Sequence, residues 1–105
     1  MKAVFRINEK RAIVNTDTDI CLYCAKRGLE PSHREGTDIY LHITVNGEKI
    51  YYLYNWSLYQ NVEDYIELIS EREAREKLEQ HVPQMTEETI ENIKKYISDF
   101  MTETA

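Results

Sequence analysis

The chain has 105 residues, 42% of them apolar and 30% charged, with a net charge of −6, which suits one soluble globular domain with a single modest core. No run approaches the ~20 apolar residues of a membrane span. The first residues lack the apolar stretch of a secretory leader, and two cysteines without an export signal point to a reducing, cytoplasmic setting.

Residues 3–7 and 11–15 are short β-rich runs around Asn8-Glu9-Lys10 and predict a hairpin. Thr16-Asp17-Thr18-Asp19 is turn chemistry, since short polar side chains bond their own backbone. Residues 20–26 predict a third strand. Residues 28–37, with Gly28, Pro31, Ser32 and Gly36, predict a loop. Asn46-Gly47 between the β-rich runs 38–45 and 48–55 predicts a second hairpin, closed by a type I′ turn. Residues 65–69 predict a last short strand.

Helical spacing begins at Ser70. Ser70 and Glu73 form an S-x-x-E capping box, and Glu71–Arg75 and Glu73–Lys77 are favourable i,i+4 pairs. This helix spans 70–82 and stops at Pro83. Thr86 caps a second helix over 86–102, whose stripe is Ile90, Ile93, Ile97, Phe100 and Met101, with Tyr96 beside it. Strands followed by helices predict an α+β fold over 1–105: an antiparallel sheet of five to six strands in residues 1–69, then two helices packed on one face.

The charge is divided. Residues 1–60 carry eight Lys/Arg and seven Asp/Glu, whereas residues 61–105 carry five and twelve. A uniformly basic nucleic-acid binder is disfavoured, and the acidic half suits a basic protein surface.

Catalytic and metal-binding patterns are sparse. Cys21-Leu22-Tyr23-Cys24 is a C-x-x-C, but on a strand residues three apart face opposite ways. Neither a bridge nor a redox pair is expected from it. His33 and His42 stand at spacings that match no common zinc site. Asp17, Asp19, Glu63 and Asp64 have nothing to fix their mutual distance. No Ser/His/Asp order, glycine-rich phosphate loop or H-E-x-x-H is present. The expectation is a non-enzyme without metal, cofactor or catalytic residues.

Aromatic content stands out. There are eight tyrosines, five of them between positions 51 and 65, with Trp56 among them. Tyr51, Tyr54, Trp56 and Tyr59 make the candidate binding surface, because large rigid rings with polar tips suit protein interfaces. The same residues also suit a half-buried antiparallel sheet.

Three segments resemble a loose family of uncharacterised small proteins from archaea, bacteria and mobile elements. They are Lys10-Arg11 through Asn15-Thr16-Asp17-Thr18, similar to a GKxYDT opening; residues 38–57 around Gly47-Glu48-Lys49-Ile50-Tyr51; and Tyr65–Ala74, similar to a strand-to-helix I-x-x-I/L-S-E-E-E-A junction. Glu9 replaces the family's glycine and Val14 its tyrosine. The resemblance supports the strand order and carries over no catalytic residue.

The expected function is a small accessory or inhibitor protein of the kind phages and mobile elements carry. It would bind a protein through the aromatic loop and the acidic helical surface. The alternative is a module for single-stranded nucleic acid or a small ligand on the same aromatics. The stripe Ile90, Ile93, Ile97, Phe100 and Met101 either pairs with a second copy, giving a homodimer, or docks on its own sheet.

Overall fold

The computed structural model describes residues 1–28 and 30–101. The fold is α+β, with two antiparallel sheets and two α-helices. β1 (Lys2–Ile7) and β2 (Lys10–Asn15) form a two-stranded sheet. β3 (Ile20–Tyr23), β4 (Glu35–Ile43), β5 (Lys49–Ser57) and β6 (Tyr65–Ile69) form a second sheet in chain order. Helices α1 (Glu71–Gln80) and α2 (Glu87–Lys94) follow. The six strands therefore do not share one sheet. After Asn15 the turn at 16–19 carries the chain away from β2, and no ladder joins β2 to β3.

Alternation along β4 and β5 sorts their side chains into two buried clusters. Ile39, Leu41, Tyr51 and Leu53 join Leu22, Ala74, Leu78, Ile93, Ile97 and Phe100. Tyr40 and Tyr52 join Val14, with Phe5, Ile50 and Tyr54 packed alongside. Tyr40 and Tyr52 are register partners, with ring centroids 5.3 Å apart. Asp19 anchors this second cluster from the turn. Its carboxylate accepts from the Tyr52 hydroxyl (2.7 Å) and the Asn15 amide (2.8 Å), and lies 2.7 Å from His42 Nδ1. Burial first, and then the Asp19 carboxylate, push the Tyr52 hydroxyl well above its ordinary range.

Both hairpins form, the second with a turn other than the expected type I′. Asn8 and Glu9 both have positive φ, 50° and 66°, between the paired Ile7 and Lys10, so the I′-like two-residue turn is here. At the second hairpin only Gly47 is positive, at 83°. The Gly47 amide donates to Thr44 O (2.9 Å) and the Thr44 amide to Glu48 O (2.9 Å). That is a three-residue loop with glycine in its left-handed position.

Cys21 and Cys24 form a disulfide, their Cα atoms 6.5 Å apart, which corrects the expectation of separated thiols. Cys21 pairs with Tyr40 and Tyr23 with Ile39, so two steps along β3 match one along β4. This bulge breaks the alternation, and β3 ends at Tyr23, leaving Cys24 outside the ladder.

The capping box at Ser70 forms: the Glu73 amide donates to Ser70 Oγ (3.1 Å) and the Ser70 amide to the Glu73 carboxylate (3.4 Å). Arg72 pairs with Glu76 at 3.2 Å, and Arg75 reaches Asp99 at 2.7 Å. The second contact ties α1 to the C-terminal segment. Thr86 caps α2 through the Thr89 amide.

α2 ends at Lys94, well before the expected 102, a position that lies outside the described residues. The Tyr96 carbonyl accepts from Lys49 Nζ, and the Phe100 amide turns to Ile97 O. The stripe is nevertheless buried: Ile93, Ile97 and Phe100 are enclosed and Ile90 packs against them, while Met101 is exposed. Ile93, Ile97 and Phe100 thus lie in the chain's own core.

Candidate functional site

Of the four aromatics expected to form one surface, two are interior. Tyr51 lies in the first cluster, facing α1 and α2 residues, and is 3% exposed. Trp56 is 4% exposed. Tyr54 packs at the margin of the second cluster, and Tyr59 alone is exposed. Alternation separates Tyr51 from Tyr54 and Trp56, so the four do not make one surface.

Trp56 is held by residues far away in sequence. It pairs with Gly36, where a Cβ would lie 2.9 Å from Trp56 Cζ2 and 3.0 Å from Ala25 Cβ. Glycine is needed here for close approach. Gly36→Ala is therefore expected to destabilise the protein by about 1–3 kcal/mol, as overpacking does. Urea denaturation checks this, and an unchanged midpoint would contradict the packing.

The indole Nε1–H donates to Asp38 Oδ1 at 3.0 Å, and the Arg27 guanidinium sits 4.2 Å from the ring centroid. Asp38 is fully enclosed. It also accepts from the Ala25 amide (2.8 Å) and from Arg27 (2.7 Å). Such a carboxylate requires several donors at once to remain buried.

Beyond Trp56 the chain leaves β5 and crosses residues 58–64 to reach β6. The backbone of this loop is fixed at several points. The Leu58 amide donates to Arg34 O (2.6 Å), the Tyr59 amide to Ser57 Oγ (3.1 Å) and the Ser57 amide to Asp64 Oδ1 (2.9 Å). The Tyr54 hydroxyl donates to Asp64 Oδ2. Four large apolar side chains nevertheless face outward: Leu58 (55% exposed), Tyr59 (40%), Val62 (50%) and Tyr65 (58%). Val62 and Tyr65 line a cleft of about 250 Å³ together with Gly36, Trp56, Glu35 and Glu63. Sequence reasoning passed over Val62 and Tyr65. The available signal was that Tyr65 opens β6, the outermost strand.

Asp64 gives this loop a pH dependence. The Tyr54 hydroxyl, and then the Ser57 amide, hold its carboxyl below the ordinary carboxylate range. The same bond, with burial second, pushes Tyr54 up to about 12. A depressed folded pKa means stabilisation that is present above the unfolded value, about 3.9, and lost as pH falls through the folded one. For Tyr54 the sign is opposite: its contribution is complete below pH ~10 and disappears as pH rises through the raised value. Tyr54→Phe is expected to move the Asp64 midpoint upward in a carboxyl-carbon NMR titration. An unmoved midpoint would contradict the bond.

The remaining candidates are dispersed. Asp19 serves the second cluster and Asp64 the loop, so Asp17, Asp19, Glu63 and Asp64 do not form one site. His33 lies 3.3 Å from Glu30, and His42 faces Asp19. Among the described residues no group of His, Cys, Asp or Glu is arranged to hold a metal ion. No helix is long and apolar enough to cross a membrane among the described residues. The glutamates of α1 and α2, from Glu71 to Glu91, are solvent-exposed. No protein-family model, curated protein or solved structure matches this chain.

Proposed function

We propose that this protein is a non-enzymatic binding module whose partner is another protein. Its contact surface is the loop at 58–65 and the Trp56-floored cleft beside it. The observation that carries this reading is four exposed apolar side chains within eight residues, on a backbone held by hydrogen bonds. Solvent gives a loop no reason to be apolar, and a loop ordered in advance loses little entropy on binding. The fitting partner offers one apolar side chain to the cleft, with basic residues around it to face Glu35 and Glu63. The acidic faces of α1 and α2 would steer the approach of such a basic surface. The role we propose for this binding is that of an accessory or inhibitor protein.

Tyr59→Ala with Val62→Ala tests the reading. Affinity for the partner is expected to fall at least about tenfold, since exposed anchors are typical hot spots. Stability should stay within about 0.5 kcal/mol, as for exposed sites in general. Unchanged affinity in a folded double variant would refute the assignment.

A further inference from the structure

The docking surface leaves the bridged pair Cys21 and Cys24 without a part. Both cysteines are exposed. A cleft of about 300 Å³ opens beside them, with β3 on one side and Met85, Thr86, Thr89 and Asn92 on the other. None of the side chains lining it is charged. An anionic thiolate therefore meets no like charge there, although the whole chain carries −6. Thiol–disulfide exchange begins when a thiolate reaches one sulfur, and access limits its rate. The folded chain offers that access.

The surrounding fold is held by contacts that do not pass through the sulfurs. On one side Ile20 pairs with Leu41 and Cys21 with Tyr40 in β4. Between the cysteines, Leu22 is 4% exposed within the first cluster, and Tyr23 pairs with Ile39 and stacks on His81, with ring centroids 4.4 Å apart. On the other side the Ala25 amide donates to Asp38 Oδ1 at 2.8 Å. The bridge joins residues three apart in sequence, and so short a loop constrains little of the unfolded chain. After reduction the two thiols would stay close together on an ordered edge, at the high effective concentration that lets a bridge re-form. A bridge that serves stability is typically enclosed and closes a long loop, whereas this one is open and short.

We propose that Cys21 and Cys24 form a reversible thiol–disulfide couple, a redox modification site cycled by soluble thiols and their disulfides. In reduction, the thiolate of one soluble thiol attacks a bridge sulfur. The S–S bond breaks, and the other cysteine leaves as a thiolate that takes a proton from water. A second soluble thiolate attacks the mixed disulfide, forming the soluble disulfide and releasing the second cysteine. Two electrons thus pass from two soluble thiols to the bridge, and oxidation by the soluble disulfide runs the same steps in reverse. The couple is independent of the loop at 58–65, since β3 is the edge strand opposite β6, where Tyr65 lies.

The test equilibrates the full chain, without denaturant, in glutathione buffers of rising reduced-to-oxidised ratio. Free thiols are counted by alkylation and mass, and the amide NMR spectrum is followed alongside. The bridge is expected to convert fully to two thiols and back, while amides outside residues 20–28 keep their native shifts. Reduction of the folded chain should be at most about tenfold slower than that of the urea-unfolded chain, because both cysteines are exposed. Cys21→Ser and Cys24→Ser should each take up one glutathione as a mixed disulfide from oxidised glutathione. A bridge that persists at the most reducing ratio, or that yields more slowly than this limit, overturns the proposal. So does loss of the native spectrum when the bridge opens, or failure of either folded single-cysteine variant to form its adduct.

Discussion

A chain ending at Gln84 is expected to be unfolded. Ile93, Ile97 and Phe100 are each at most 1% exposed and pack on Leu22, Ile39, Leu41, Tyr51 and Leu53. Truncating one buried side chain of this size to alanine costs about 2–5 kcal/mol. Removing all three also uncovers the sheet beneath them, and that loss matches the whole stability of a small domain, about 5–15 kcal/mol. Far-UV circular dichroism and urea denaturation of residues 1–84 check this. A cooperative transition in the truncated chain would show that the core is complete without the C-terminal segment. Light scattering on the full chain tests the same packing from the other side. Because the stripe at 90–100 is enclosed within one chain, α2 should not drive dimerisation.

Trp56→Ala is the second large effect, about 3–5 kcal/mol of lost stability. The ring fills the space above Gly36, and its Nε1–H is one of three donors to the enclosed Asp38. Asp38→Ala should cost roughly 2–4 kcal/mol, because it leaves Trp56 Nε1 and the Ala25 amide unpaired in the interior. The Arg27 side chain is 41% exposed, so its charge returns to water and adds little to that loss. The two changes share one hydrogen bond and should be non-additive. Urea denaturation of both single variants and the double variant gives the coupling. A loss below about 1 kcal/mol for Trp56→Ala would return the indole to the surface.

The contrast between what was legible and what was not follows the range of each interaction. β6 is found at the residues its pattern predicts, and the Ser70–Glu73 box forms as spelled, because both are local. Sorting of Tyr51 and Leu53 from Tyr52 and Tyr54 also needs only alternation. Alternation carries no information on which strands pair, so the division into two sheets stayed hidden. The β3 bulge is one residue of slippage against β4, invisible in β3 alone, and it decides whether Cys21 and Cys24 meet. Trp56 reads as a loop aromatic until Gly36 and Asp38 are placed beneath it. Just beyond the end of α2 the Tyr96 carbonyl is held by Lys49, forty-seven residues away in sequence. The exposed anchors Val62 and Tyr65 were likewise obscured, since exposure of an apolar residue is a property of the assembled surface.

Contact between the loop at 58–65 and a protein partner can be read by site-specific photocrosslinking. A photoreactive phenylalanine analogue would be placed at Val62, and in a control at Ile43, which is also exposed but lies at the far end of β4. Protein crosslinked in its own cells is expected to give one discrete adduct from position 62. That adduct should be absent from position 43, and Tyr59→Ala should remove it. The same adduct from both positions, or an adduct from position 43 alone, would rule out the loop at 58–65 as the contact surface.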